Sequence, residues 1–242
     1  MNAAGKTDRG LVRETNQDAF RVGAFPGGAW AVVCDGMGGA NGGGLASSIA
    51  VSEISERLAE GFRQGEDPGF IRDVLFEAAG RAHARIYGRA KEDGELIGMG
   101  TTALAAVAAG GLLHAVHAGD SRIYIVSADS GIEQVTVDHS MVQMMLNNGD
   151  LTPEEAKNHP RKHIITRAVG VGKTIELDYI ERRLLPGDAA VLCTDGLTNY
   201  AEAGDIREAV LTYGPESAPE KLIQLANANG GGDNITVVTM WE

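Results

Sequence analysis

Four β-patterned runs follow one another at residues 101–108, 112–118, 122–126 and 132–137, parted only by glycine-bearing or Asp/Ser turns. Connections this short leave no room for a crossover helix, so neighbouring strands in the block must run antiparallel. Further strand-like runs occupy residues 19–25, 30–34, 175–182, 189–194 and 235–241. Helical spacing separates the two strand groups: Val51, Ile54, Leu58 and Phe62 mark one helix, and Ile71, Val74, Ala78, Ala82 and Ile86 a second. Residues 61–69 read as the turn between them, and 91–100 as a polar loop. Two more helices fall at 203–213 and 216–228. The order of elements predicts an α+β fold in which helix pairs cover antiparallel sheets. No linker or repeat interrupts it, so one domain is expected over residues 1–242.

Residues 138–172 stand apart. They are polar and irregular, with a short amphipathic piece at 141–146 and a capped helix start at 152–158.

With 33 acidic against 21 basic residues the formal charge is −12, which repels nucleic acid and anionic membranes. The longest apolar stretch, residues 103–113, contains Gly110 and Gly111 and falls short of the about 20 residues a membrane span needs. No basic-then-apolar leader opens the sequence, so a soluble cytoplasmic protein is expected. Cys34 and Cys193 each lie within an apolar run and read as reduced core thiols.

Carboxylates recur at strand ends. Asp35 closes AWAVVC, Asp120 follows HAVHAG, Asp195 follows AVLCT, and Asp233 precedes NITVV, each beside glycine or within a glycine cluster. Brought to one rim of a sandwich, unpaired carboxylates repel. A divalent cation relieves that repulsion, and all-oxygen ligands favour Mg²⁺ or Mn²⁺ over Zn²⁺. Six of the nine residues after Asp35 are glycine, which reads as an open loop where backbone, water and metal can approach. Zinc is disfavoured, because His114 and His117 are three apart on a strand and point to opposite faces. Nucleotide-binding loops fail too. Asn41 occupies the sixth position of the first glycine run, and Arg167 replaces the first glycine of a P-loop.

Taken together, these residues resemble the PPM family, the metal-dependent type 2C Ser/Thr protein phosphatases, in its compact bacterial form. The motifs are TDRGLVRETNQDAF at 7–20, CDGMGG at 34–39, GTT at 100–102, GDSRIY at 119–124, DHS at 138–140, HPRKHIITRAVG at 159–170, TDGLTN at 194–199 and GGGDNITVV at 230–238. The resemblance implies a four-layer α-β-β-α sandwich and two Mn²⁺ or Mg²⁺ ions per active site, with a third, weaker site. It implies that Asp35 bridges both ions, that the Gly36 carbonyl reaches one through water, and that Asp195 and Asp233 hold the other. Asp120, with Asp195, matches the third site. Asp18 would orient metal-bound water, Gln17 and Asn234 would lie around the ligands, and Arg13 would grip the substrate phosphate. The implied reaction is direct attack on phosphoserine or phosphothreonine by a metal-bridging hydroxide. Phosphorylated proteins, including a cognate Ser/Thr kinase, are the implied partners, and the chain is expected to be a monomer.

The sequence departs from the family pattern in places. Gln17 stands where Glu is usual, which removes a negative charge from the site. Met37 replaces a histidine proposed as general acid in animal relatives, and Ala40 and Gly44 replace His and Glu common in bacterial ones. The general acid is therefore open: a metal-bound water is preferred, with His139 and His163 as candidates. By resemblance, a flap beside the active site lies within 138–172. Two other readings on the same residues are a pseudophosphatase that binds phosphoproteins without turnover and a small-molecule phosphatase.

Overall fold

The computed structural model describes residues 1–62 and 68–242. Most of the turn expected at 61–69 thus lies outside the described residues. One sheet has the order β2 (Asp18–Phe25), β3 (Gly28–Met37), β5 (Ala103–Ala109), β6 (Leu112–Ala118), β9 (Asp178–Arg183), with β4 (Gly100–Thr101) pairing the end of β3. The other has the order β1 (Asn2–Asp8), β11 (Ile235–Trp241), β10 (Ala189–Cys193), β7 (Arg122–Ser127), β8 (Gly131–Gln134). Every pairing is antiparallel.

The sheets face each other across a core to which Ala31, Val33, Leu104 and Ala106 contribute from one side, and Ile123, Leu192, Val238 and Met240 from the other. Alternate residues of β3, Trp30, Val32 and Cys34, pack outward against α1 (Gly39–Gly61) and α2 (Pro68–Glu92). The second sheet turns Val191, Cys193 and Val237 toward α6 (Ala203–Tyr213) and α7 (Ala218–Ala228). This is the four-layer α-β-β-α arrangement that the resemblance implies, and it agrees with the helix pairs and antiparallel sheets read from the element order. A strand buried on both faces has no polar side, so residues 29–34 read as a continuous apolar run.

Among the departures from the sequence expectation, beyond shifted strand ends, three stand out. β1 was not expected, because NAAGKTD carries a single β-branched residue and no alternation; it is held by pairing with β11 from Asn2↔Trp241 to Asp8↔Ile235. A short helix, α5 (Asp195–Thr198), forms directly after β10. Most informative is the glycine run, which is not an open loop. Residues from Gly39 onward form the first turns of α1. Glycine costs about 1 kcal/mol in a helix interior relative to alanine, so propensity points away from helix here. Close packing explains the choice. A Cβ on Gly36 would strike the Gly43 carbonyl, and one on Gly43 would lie 2.7 Å from both Gly36 O and Gln17 Oε1. Only bare backbone lets the start of α1 dock on the end of β3, one residue beyond Asp35.

Candidate metal centre

Asp18 and Asp35 are register partners across β2 and β3, so both reach the same end of the first sheet. Asp120 sits in the β6–β7 turn, Asp195 opens α5, and Asp233 precedes β11. Hydroxyls join the two sheet ends. The Asp35 N–H donates to Thr102 Oγ1 (2.9 Å), and Thr102 N–H donates to Asp35 O (2.8 Å). Thr102 Oγ1 also lies 2.9 Å from Ser121 Oγ, next to Asp120. Gly119 makes this turn possible: its φ is +112°, and a side chain there would run into Thr102. Asp18 is buried beneath the rim, where Oδ2 accepts from Thr194 Oγ1 (2.9 Å) and Thr236 Oγ1 (2.7 Å).

The electrostatics are those of carboxylates without enough positive charge. Burial pushes Asp18 up to about 7, against the two threonine hydroxyls and with help from Asp195 and Asp233. Burial, then the charges of Asp18, Asp195, Asp120 and Asp233, hold Asp35 well above the usual range. Asp120 is pushed up to about 8, mostly by burial and then by Asp195 and Asp138. Asp195 is raised by burial and Asp233, while His163, the Asn199 amide and Arg122 oppose. Asp18 Oδ1 and Asp195 Oδ1 are buried with no hydrogen-bond partner. Bare, buried carboxylate oxygens are costly unless a cation or its water shell meets them. The donor set is oxygen throughout, so these residues fit hard divalent ions.

Arg13, Gln17, Asp35, Gly36, Asp120, Asp195, Asp233 and Asn234 all line one cleft of about 620 Å³, and Met37 and His163 face it as well. Asp18 lies below its floor. Arg13 is half exposed and donates from Nη2 to Asp233 Oδ2 (2.9 Å), so here its guanidinium neutralises one of the acids. Asn234 acts as a staple: Oδ1 accepts from Gln17 N–H, and Nδ2 donates to the Arg9 and Thr15 carbonyls, fixing the loop that carries Arg13. Gln17 Nε2 donates to the Gly39 carbonyl (2.8 Å), a contact a glutamate could not make. Among the roles that sequence reasoning did not assign are those of Thr102, Ser121, Thr194, Thr236 and Asn199, whose Nδ2 donates to Asp195 Oδ2 (3.1 Å). All five fall inside the motifs quoted above, which was the available signal.

The two histidine candidates separate. His163 is exposed on the cleft wall. His139 is buried and engaged elsewhere, in a trio with His117 and Asp178 whose ligand atoms lie within 4.8 Å of one another. That trio is a poor metal site. The imidazole rings are parallel within 5° at 4.4 Å, so their in-plane lone pairs do not converge on one point. His139 Nδ1 already accepts the Gly119 N–H, and Arg167 Nη1, 2.6 Å from Asp178 Oδ1, already supplies the cation. The cleft aspartates are more widely spread, and among the described residues no three bring ligand atoms within that distance.

Known proteins share this fold and much of this sequence. The protein phosphatase 2C family profile matches residues 11–224. The chain belongs to the protein phosphatase 2C (PPM) family. It is 35% identical over 239 residues to the serine/threonine protein phosphatase PstP of Mycobacterium tuberculosis, covering 98% of this chain but only 44% of that protein's length. The solved serine/threonine phosphatase of S. agalactiae superposes with a TM-score of 0.91 at 34% identity, covering 100% of this chain and 99% of that one. The catalytic domain of PstP solved in complex with 2 manganese ions superposes with a TM-score of 0.85 at 33% identity, covering 98% and 96%.

Proposed function

We propose that this phosphatase 2C chain hydrolyses phosphoserine and phosphothreonine in proteins, using Mn²⁺ or Mg²⁺. The observation that carries the reading is the pair of bare, buried oxygens on Asp18 and Asp195 within a group of mutually repelling acids. Asp35 would hold two ions, the Gly36 carbonyl would reach one of them through water, and Asp195 and Asp233 would hold the other. Asp120 with Asp195 would hold a third, weaker ion. Bound there, the ions supply Lewis acidity and a nucleophilic water at neutral pH. Asp18, fixed by two threonine hydroxyls, keeps Oδ1 free as the acceptor that would orient such a water. The thiols take no part: Cys34 and Cys193 are fully buried, and burial pushes Cys193 up to about 12 and Cys34 higher still.

Arg13, half exposed in the cleft and paired with Asp233, is the guanidinium that would meet the substrate phosphate. His163, exposed on the cleft wall, would hand a proton to the departing serine or threonine oxygen. The flap would lie within residues 138–172, which include α3 (Met141–Asn147) and α4 (Pro153–Lys157). They wall a groove of about 560 Å³ that meets the cleft at Asp120, His163 and Asp195 and would receive the substrate chain. Residues 1–242 act as one catalytic domain. Among the described residues no helix is long and apolar enough to cross a membrane. A cytoplasmic monomer acting on phosphorylated proteins, a cognate Ser/Thr kinase among them, is the setting that fits.

The test is hydrolysis of p-nitrophenyl phosphate and of a phosphothreonine peptide, with Mn²⁺ and then with EDTA. Turnover of both with Mn²⁺ and of neither with EDTA is expected. Peptide binding without turnover would indicate a pseudophosphatase, and turnover of the small ester alone a small-molecule enzyme. Arg13→Ala should raise KM about 10–100-fold, matching about 1.5–3 kcal/mol for charge-assisted hydrogen bonds, with kcat within a few-fold. A pure kcat loss would contradict its role. His163→Ala should lower kcat for the peptide about 100-fold while sparing p-nitrophenyl phosphate, whose leaving group needs no proton. An unchanged peptide rate would return the role to metal-bound water.

A further inference from the structure

His139 holds the residue before Asp120 from both sides. The Gly119 N–H donates to His139 Nδ1 (3.2 Å), and the His139 N–H donates to the Gly119 carbonyl (2.9 Å). The His139 carbonyl in turn accepts from Thr166 N–H (2.8 Å), at the returning end of the 138–172 segment. One residue therefore ties the Asp120 turn to both ends of that segment. The ring is itself oriented. With Nδ1 accepting, the proton sits on Nε2 and is donated to Asp178 Oδ2 (3.2 Å), while Arg167 Nη1, 3.0 Å from the same nitrogen, turns its hydrogens to Asp178 Oδ1 (2.6 Å). Arg167 holds the other Asp178 oxygen, and the His117 ring stacks on the imidazole face. Burial keeps His139 below its ordinary value and so neutral, the form that can accept from Gly119.

The turn has little slack in which to dissipate a displacement. Gly119 adopts a φ that side chains rarely take, and Asp120 is followed by Ser121, which is bonded to Thr102. A carboxylate held between two such anchors is presented at a set position, and its cation affinity depends on that position.

We propose that His139 is a positioning residue for Asp120, and that the Gly119 N–H···Nδ1 bond sets the affinity of the weakest cation site by coupling it to the base of the flap. This rests on the reading that Asp120 holds a cation. The experiment counts ions directly, by titrating the metal-free protein with Mn²⁺ and following free Mn²⁺ by electron paramagnetic resonance. The unsubstituted protein should bind three ions, one of them weakly. His139→Phe keeps the ring and its stacking but loses the acceptor, and should weaken only that ion, by at least tenfold. His139→Asn, whose Oδ1 can take the place of Nδ1, should recover most of the loss. Asp178→Ala, at a half-exposed position, removes the acceptor of the Nε2 proton and should weaken the same ion about threefold.

Equal weakening of all ions, wild-type binding in both His139→Phe and Asp178→Ala, or failure of His139→Asn to recover would each overturn the proposal. Asp120→Asn separates the underlying reading from the coupling. If it retains the weak ion, or if the unsubstituted protein binds only two, the assignment of Asp120 fails and the proposal with it. If it loses the ion while His139→Phe keeps it, only the coupling fails.

Discussion

Asp35→Asn should lower turnover about a thousandfold, equivalent to about 4 kcal/mol of transition-state stabilisation, while making the metal-free protein more stable. Asp35 is the most crowded carboxylate of the cleft, opposed by the charges of Asp18, Asp195, Asp120 and Asp233. The amide keeps the shape and removes both the charge and the cation ligand. In EDTA the variant should therefore melt above the unsubstituted protein. In saturating Mn²⁺ the order should reverse, because a ligand at 100 times its Kd stabilises the native state by about 2.7 kcal/mol. Melting curves under both conditions check this. A variant less stable than its parent in EDTA would mean that repulsion at the rim is not what the cations relieve.

The second large effect is a pH dependence of the metal-free protein opposite in direction to that of salt-bridged carboxylates. Asp18 is held up to about 7 and Asp120 up to about 8 in the fold, whereas an unfolded aspartate titrates near the ordinary ~3.9. Between those values the native state keeps protons that the unfolded chain releases. Stability is then fully present below about pH 4 and is lost as pH rises through about 7–8, at up to about 1.4 kcal/mol per unit for each such group. Urea midpoints in EDTA should fall steadily between pH 5 and pH 8.5. Excess Mn²⁺ should flatten or invert the trend, since cations then replace the protons. Midpoints that climb with pH in EDTA would contradict the protonation assigned to the cleft.

Much of the sandwich was readable because strand periodicity is local. Residues 112–118, 203–213 and 235–241 become elements with the expected bounds, since each stretch carries its own alternation or helical spacing. Where the reading failed, the deciding contact lay far away in sequence. β1 exists because β11 offers it an edge, and its own residues carry almost no strand signal. The start of α1 forms in a glycine run because β3 and Gln17 approach too closely for side chains. The two histidine candidates for the general acid both lie in one irregular segment, and nothing local tells them apart; burial behind Gly119 removes His139, and exposure in the cleft leaves His163.

The sequence by itself determined the antiparallel sheets, the helix pairs and the placing of aspartates at strand ends, because each follows from neighbours a few residues apart. Only the tertiary structure decided that Asp18, from β2, lies under Asp195 and Asp233 with one oxygen bare, bonded to a threonine 218 positions away. Register and sheet packing bring those charges together. Their mutual repulsion, which no single stretch of chain contains, is what the proposed cations would relieve.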